Sequence, residues 1–192
     1  MTSDERDRKA AHRSRLRAAR RGAPAAPMVS QVLLATAAFG VRPGQVVCAY
    51  LAVGGEPGSA QMLESLRGAG YRVLLPVVVG DAPLDWAEHT GELRPGPYGL
   101  REPVGPPLGA SAVASAALVL VPALAVDRSG VRLGKGGGHY DRSLPLTSAP
   151  LVAVVRDDEF VDSLPSEPHD VRVDAVLTPS RGLIRLPCGV DL

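Results

Sequence analysis

The sequence has few cysteines, almost no net charge and no long apolar run, and each shortage argues against a class of protein. Cys48 and Cys188 are the only cysteines, too few for a disulfide framework or a cysteine zinc site, so we expect both thiols to be reduced. A formal net charge of +1 provides none of the global basic field that nucleic-acid binding usually requires. The apolar runs at 46–53 and 73–79 are too short to cross a bilayer, so we expect no membrane span.

Positive charge is concentrated in the first 21 residues, which contain eight of the 21 Lys and Arg residues and three acids. So many charges do not fit the apolar stretch of a secretory signal, although abundant arginine and few acids after Asp7 are features of transit peptides. We expect a cytoplasmic protein. The chain of 192 residues is 45% hydrophobic, enough for one substantial core, so residues 1–192 are predicted to form a single domain.

Helical and strand-like segments alternate along the chain, which is typical of α/β proteins. Helices are predicted from composition and terminal residues at 3–21, 28–39, 59–70 and 138–144. Buried strands are predicted from continuous apolar runs at 45–53, 71–79, 118–121 and 151–155. Such runs indicate a mostly parallel sheet covered on both faces, with ligands at the carboxyl ends of its strands. The Pro- and Gly-rich residues 95–107 are predicted to be a long ordered loop.

The most informative stretch is the glycine-dense segment 131–142. Glycine fills four of the five positions from Gly134 to Gly138, so backbone N–H groups are uncovered and a nucleotide phosphate can approach closely. A helix beginning near Gly138 would add the positive end of its dipole. A Walker A loop is excluded because Gly136 rather than a hydroxyl residue follows Lys135, and the spacing does not fit a dinucleotide fingerprint. Glycines alone more often mark a plain turn-rich loop.

Charged side chains beside the glycines favour the phosphate site over the plain loop. Arg132, Lys135 and Arg142 supply fixed positive charge. Phosphate would repel Asp141 unless a divalent cation lay between them, so Asp141 is predicted to bind Mg²⁺. The sequence therefore predicts a metal–nucleotide site.

A second cluster of positive charge lies on the first predicted helix. Lys9 and Arg13 are four residues apart and share one helical face, from which both can reach a phosphate. A solvated basic face is the commoner explanation of such a stripe, and RNA or acidic lipid is another. The remaining arginines are predicted to lie partly off this face and to be solvated or weakly phosphate-steering: Arg15, Arg17, Arg20 and Arg21.

Several separated motifs, in order, resemble the 5-formyltetrahydrofolate cyclo-ligase family, also called methenyltetrahydrofolate synthetases. The hallmark of that family, Arg-Leu-Gly-x-Gly-x-Gly followed by aromatics and Asp-Arg, reads here from Arg132 to Arg142. The other matches span nearly the whole chain: Lys9 and Arg13, Glu56 after a strand, Gly99-Leu100-Arg101-Glu102-Pro103, Val121-Pro122, Glu167-Pro168-His169-Asp170, and Val173-Asp174.

The resemblance implies both a fold and a reaction. The fold is a single-domain three-layer α/β/α arrangement with a mostly parallel Rossmann-like sheet, of the NagB/RpiA/CoA transferase-like type. The reaction is the ATP-dependent cyclisation of 5-formyltetrahydrofolate to 5,10-methenyltetrahydrofolate, with release of ADP and phosphate. Cations and Mg²⁺ would stabilise the transferred phosphoryl group. The resemblance favours a monomer or weak dimer acting on these small molecules, with no nucleic-acid or membrane partner.

The resemblance also assigns site residues, some of them to more than one role. The expected ATP-binding residues are Lys9, Arg13, Arg132, Leu133, Gly134, Lys135, Gly136, Gly137, Gly138, His139 and Tyr140. The expected folate-binding residues are Leu51, Glu56, Trp86, His139 and Tyr140. The expected Mg²⁺ ligands are Asp141 and Asp170, and the expected catalytic side chains are Lys135, Tyr140 and Arg142. A carboxylate such as Glu56 suits the N–H and amino donors of a pterin.

A few positions depart from the family pattern or allow a second interpretation. His139 stands where the family commonly has an aromatic residue, often tyrosine, and adds an imidazole that can carry a proton. Gly137 replaces a lysine of some members, and Ala117 a common aspartate. Tyr140 can equally be a core-packing residue. A single tryptophan such as Trp86 is more often a packing anchor than a ligand contact. Two other functions stay open: a non-catalytic folate- or nucleotide-binding protein, and an RNA-binding protein that uses the basic helix.

Overall fold

The computed structural model describes residues 3–24, 26–167 and 170–187. The helices are α1 (Ser3–Arg20), α2 (Val29–Ala38), α3 (Ala60–Gly68) and α4 (His139–Ser143). The strands are β1 (Val46–Cys48), β2 (Arg72–Val77), β3 (Asp85–Glu88), β4 (Leu93–Pro95), β5 (Arg101–Pro103), β6 (Ala116–Pro122), β7 (Ala125–Asp127), β8 (Arg132–Leu133), β9 (Leu151–Val154), β10 (Phe160–Val161), β11 (Ala175–Thr178) and β12 (Gly182–Arg185). In these ranges, no helix has both the length and the apolar composition of a membrane span.

Seven strands form the main sheet, in the order β12-β11-β9-β6-β1-β2-β3. The five inner strands run parallel to one another, whereas the edge strands β3 and β12 are antiparallel to their neighbours. A three-stranded sheet (β10-β7-β8) and the β4-β5 hairpin lie outside it. The predicted α/β class with a mostly parallel sheet is confirmed.

Alternate residues of the central strands face two separate cores, because successive side chains of a strand point to opposite faces. In β1, Val47 packs in one cluster with side chains of α2 and α3. Val46 and Cys48 pack in the other cluster with Trp86 and Leu144. Each fully buried aliphatic side chain contributes roughly 1.5–3 kcal/mol. The result is a three-layer arrangement in which one outer layer has two regular helices and the other only short helical turns.

The two cysteines were expected to be reduced, and the structure describes one of them. Cys48 is a free thiol that is fully buried in the second core. Burial raises its pKa to about 12, so the thiol stays protonated and unreactive at neutral pH. Cys188 lies outside the described residues.

Helices are close to their predicted bounds, whereas the strands show larger differences. Residues 49–53 continue the apolar run of β1 but leave the sheet, because they turn into the cavity described below. The long ordered loop predicted at 95–107 is in part a hairpin, since Pro95 ends β4 and Arg101–Pro103 form β5. The strands β3, β11 and β12 were not predicted. Their short or mixed polar sequences give a weak period-2 signal.

Candidate functional site

A cavity of about 870 Å³ opens at the carboxyl ends of β1, β2 and β6. The chain beyond β1 lines one side of it, and the glycine segment after β8 lines another. In open α/β sheets ligands bind at this end, where connections to neighbouring strands diverge. Here β1 leads through α3 to β2 on one side, while β6 and β9 follow on the other.

Fifteen of the seventeen predicted site residues line this one cavity. They come from α1, the β1 connection, the glycine segment and the chain before β11: Lys9, Arg13, Leu51, Glu56, Arg132, Leu133, Gly134, Lys135, Gly136, Gly137, Gly138, His139, Tyr140, Asp141 and Asp170. The remaining two, Trp86 and Arg142, are not among its lining residues.

Three carbonyl groups of the glycine loop, residues 134–138, are bound by arginine side chains. Arg13 Nε donates to the carbonyl of Gly134 at 3.1 Å, and Arg17 Nη2 donates to that of Lys135 at 2.6 Å. Arg142 Nη2 donates to the carbonyl of Gly137 at 2.9 Å. Within the described ranges, none of the five backbone N–H groups of this loop has an acceptor. Carbonyls that are fixed and N–H groups that are free are the arrangement of an anion cradle.

Positive φ at two positions of this loop explains its need for glycine. Gly136 has φ +101° and Gly138 has φ +67°, conformations that L-residues with a side chain rarely adopt. A Cβ on Gly138 would also lie 2.6 Å from Nη1 of Arg142. The close approach of this side chain therefore depends on the absence of one at Gly138.

Glu56 forms the opposite, buried corner of the cavity. Its side chain is only 5% exposed, and its Oε2 accepts a hydrogen bond from the Val53 N–H at 3.0 Å. Lys135 Nζ, which is on the glycine loop, lies 2.8 Å from Oε1. Arg20 Nη1 lies 4.0 Å from the same oxygen. One carboxylate thus sits between a fixed cation behind it and a half-exposed cation in front.

Tyr140 lies beside this corner. Its hydroxyl is buried and has no hydrogen-bond partner in the part of the chain that the structure describes. Burial, followed by the nearby Glu56 charge, raises the pKa of Tyr140 above its usual value, so the phenol is a hydrogen-bond donor at neutral pH. The Arg132 guanidinium lies 5.8 Å from the centre of the Tyr140 ring, within cation–π range.

The two predicted metal ligands are each paired with a cation. Arg132 Nη2 donates to Asp141 Oδ1 in an ion pair. Lys9 Nζ lies 2.8 Å from Asp170 Oδ2 and 2.8 Å from a carboxylate oxygen of Glu167. Burial opposes the charge of Lys9, but hydrogen bonds and the charges of these two acids outweigh it and raise its pKa. In the described ranges, no group of three or more metal-ligating side chains is present.

Two of the predicted site residues lie away from the cavity lining. Trp86, a predicted folate contact, is fully buried in the second core. Arg142, a predicted catalytic side chain, is exposed and donates to the Gly137 carbonyl of the glycine loop. These positions favour packing for Trp86 and support of the loop for Arg142.

Sequence reasoning missed two arginines of α1. Both were expected to be solvated or weakly phosphate-steering: Arg17 is exposed but its side chain also binds the glycine loop, whereas Arg20 is only 4% exposed. The spacing contains the signal: positions 9, 13, 17 and 20 follow one helical face at intervals of four, four and three residues. The buried Glu102 was also overlooked as a cavity residue, although its motif was noticed.

Fold and cavity together define an α/β protein with an anion-binding glycine loop and a buried acid at the carboxyl edge of its sheet. The sequence matches the model of the 5-formyltetrahydrofolate cyclo-ligase family over residues 3–179, so the chain belongs to that family.

Individual relatives agree with this membership. A 5-formyltetrahydrofolate cyclo-ligase of Mycolicibacterium smegmatis is 52% identical over 151 residues, 74% of this chain and 78% of the relative. That of Escherichia coli K12 is 32% identical over 143 residues, 70% of this chain and 78% of the relative. The structure of Aquifex aeolicus 5,10-methenyltetrahydrofolate synthetase superposes with a TM-score of 0.77 at 24% identity, over 96% and 95% of the two chains. This last likeness supports the fold.

Proposed function

We propose that this protein catalyses the ATP-dependent cyclisation of 5-formyltetrahydrofolate to 5,10-methenyltetrahydrofolate, with release of ADP and phosphate. The observation that carries the proposal is one cavity with two complementary walls. The glycine loop offers five free N–H groups to an anion, and Glu56 offers a buried acceptor to N–H groups of a second ligand. Family membership identifies the two ligands as ATP and a folate.

The residues have distinct tasks in this reaction. The glycine loop binds the ATP phosphates, and Arg13 holds that loop in place through the Gly134 carbonyl. Glu56 accepts the pterin N–H and amino donors. Transfer of the γ-phosphoryl group to the formyl oxygen makes that oxygen a good leaving group, and N10 then closes the ring as phosphate leaves. Positioning and charge neutralisation supply most of the catalysis.

Lys135 connects the two walls. Its ammonium lies 2.8 Å from Glu56 Oε1 and neutralises that carboxylate. The proposed function requires this pair to open, because the pterin donors take the same carboxylate. The freed ammonium, which is on the loop itself, is then available to the transferred phosphate.

Mg²⁺ fits this site as the partner of ATP. Mg²⁺ usually binds through one or two carboxylates, substrate phosphates and water. Asp141 lines the cavity directly after the glycine loop and is partly exposed, so it suits the role of a single protein ligand. Both acids are paired with a cation, but Asp170 is less available because its side chain is only 12% exposed, against 36% for Asp141. When bound, the cation would neutralise charge on the phosphate oxygens.

RNA binding loses its support from the basic helix. The side chains of four basic residues of α1 bind acids or loop carbonyls of the same chain: Lys9, Arg13, Arg17 and Arg20. These are the side chains on which a phosphate-binding helix face would depend. We therefore propose small-molecule substrates alone.

The proposal is tested by mixing the purified protein with Mg·ATP and 5-formyltetrahydrofolate. Methenyl product is followed by its absorbance, and ADP release is measured in parallel. Equal amounts of product and ADP are expected. ADP without methenyl product would mean that the formyl substrate is another compound, and binding of both ligands without turnover would indicate a non-catalytic relative.

A further inference from the structure

Arg20, the last residue of α1, is buried between two acids. Its Nε and Nη2 donate to the two carboxylate oxygens of Glu159 at 2.6 and 2.7 Å, and Nη2 also donates to the Ala123 carbonyl at 2.6 Å. Its Nη1 is buried and, among the described residues, has no hydrogen-bond acceptor. Oε1 of Glu56 lies 4.0 Å from this Nη1.

The guanidinium of Arg20 interacts with Glu56 as well as with Glu159. Burial opposes the charge, but the hydrogen bonds and charge of Glu159, together with the charge of Glu56, hold the pKa of Arg20 above its usual value. The bidentate contact with Glu159 fixes the guanidinium plane. The remaining nitrogen is therefore held in one place, behind Glu56.

The two cations beside Glu56 differ in their freedom to move. Lys135 belongs to the exposed face of the glycine loop, with 47% of its side chain accessible. Arg20 is locked by three hydrogen bonds. When Lys135 leaves Glu56 for a phosphate, Arg20 is the countercharge that stays.

From this geometry we infer that Arg20 is a positioning residue for the folate side of the reaction: it orients Glu56 and partly offsets the charge of that carboxylate once Lys135 has turned to the nucleotide. The inference rests on the proposed function. Arg20 acts through Glu56 and does not line the cavity itself.

The inference is tested with Arg20→Met and the milder Arg20→Lys, measured by calorimetric binding of each substrate and by KM. Affinity for 5-formyltetrahydrofolate is expected to fall by roughly tenfold in Arg20→Met, with ATP affinity unchanged. The effect should nearly disappear in a Glu56→Gln background, because Arg20 then has no carboxylate to orient. Arg21→Met, at the adjacent exposed position, is the matched control and should bind both substrates as the wild type does.

Thermal unfolding of every variant separates positioning from loss of fold. Equal weakening of both substrates, or the same folate loss with Glu56→Gln already present, would overturn the inference. If Arg20→Met does not fold, Arg20→Lys and Glu159→Gln carry the same comparison. A wild-type protein that binds folate without turnover would refute the proposed function, yet would leave the role of Arg20 measurable by calorimetry.

Discussion

The two walls of the cavity, the glycine loop and Glu56, differ in how many of their polar groups already have a partner. The glycine loop has its carbonyls bound and its N–H groups free, so an anion adds hydrogen bonds without displacing any. Glu56 already has a backbone N–H, Lys135 and Arg20 around it, so a ligand there must replace a partner. The glycine loop therefore gains hydrogen bonds when a ligand binds, whereas Glu56 exchanges one partner for another.

This difference suggests that the glycine loop supplies affinity for phosphate, whereas Glu56 supplies selectivity for the second ligand. Free, uncovered donors accept any phosphate of suitable size. The buried carboxylate of Glu56 has to give up its ion pair with Lys135 before it binds a ligand. It therefore accepts only a ligand whose N–H donors replace that ion pair, because a buried carboxylate without partners is costly. Lys135 is shared by both walls, and so links them.

The largest expected effect comes from removing the acid beside the glycine loop. Asp141→Asn should lower turnover on the order of 10²- to 10³-fold, because the site loses a charged group that organises the phosphoryl transfer. The measurement is methenyl product at several Mg²⁺ concentrations, and the variant should need more Mg²⁺. Asp162→Asn, at an acid whose side chain is 87% exposed, is the control. Full activity of Asp141→Asn would remove Asp141 from the mechanism.

The next largest effect is expected from a change in the glycine loop that alters only its backbone conformation. Gly136→Ala places a side chain at φ +101°, which strains the loop by about 1–2 kcal/mol and should weaken ATP roughly tenfold. Folate affinity should not change. Gly44→Ala has a similar φ, +87°, with open space around it, and lies before the opposite end of β1. If both variants weaken ATP equally, the loss reflects general strain and not the phosphate cradle.

A smaller effect is expected from replacing Lys135, the residue that links the two walls. In Lys135→Met, folate should bind roughly two- to fivefold more tightly in the absence of ATP, because no half-exposed ion pair has to open first. ATP should bind more weakly. Calorimetry with each substrate alone measures both changes, and Lys135→Arg restores the charge as a control. Weaker folate binding in Lys135→Met would show that Lys135 helps to hold the pterin.

The smallest effect on ligands is expected at Trp86, which belongs to neither wall. Trp86→Phe should leave the KM values for ATP and folate within about twofold. It should lower the free energy of unfolding by about 1–3 kcal/mol, because the core loses volume. Urea denaturation measures the stability. A marked rise in the folate KM with unchanged stability would return Trp86 to the binding site.

Local signals explain what could be predicted from the sequence. Helix bounds and the glycine loop depend on residues close in the chain: capping, terminal bases and the density of glycine. Arg20 could not be predicted as buried, because its partner Glu159 is 139 positions away. The cation on Asp170 was missed for the same reason, since Lys9 lies 161 positions away.

The strand errors have a different physical origin. The edge strand β3 includes Asp85 and Glu88, which do not fit a buried apolar run, and its tertiary pairing with β2 overrides that weak signal. The apolar residues after Cys48 were assigned to β1 because they are apolar, but they are apolar because they are buried at the cavity and not because they pair with a neighbouring strand. Buried cavity walls and buried strands look alike in one sequence.

The long-range contacts of α1 determine when parts of the cavity can form while the chain is being synthesised. This helix leaves the ribosome before the segments that its basic side chains bind: Arg13 and Arg17 meet the glycine loop only about 120 residues later, and Lys9 meets Glu167 158 residues later. At about 5–20 residues per second, that delay is roughly 8–30 s. During this time these three side chains lack their final partners, so the part of the cavity that α1 and the glycine loop build together is completed late.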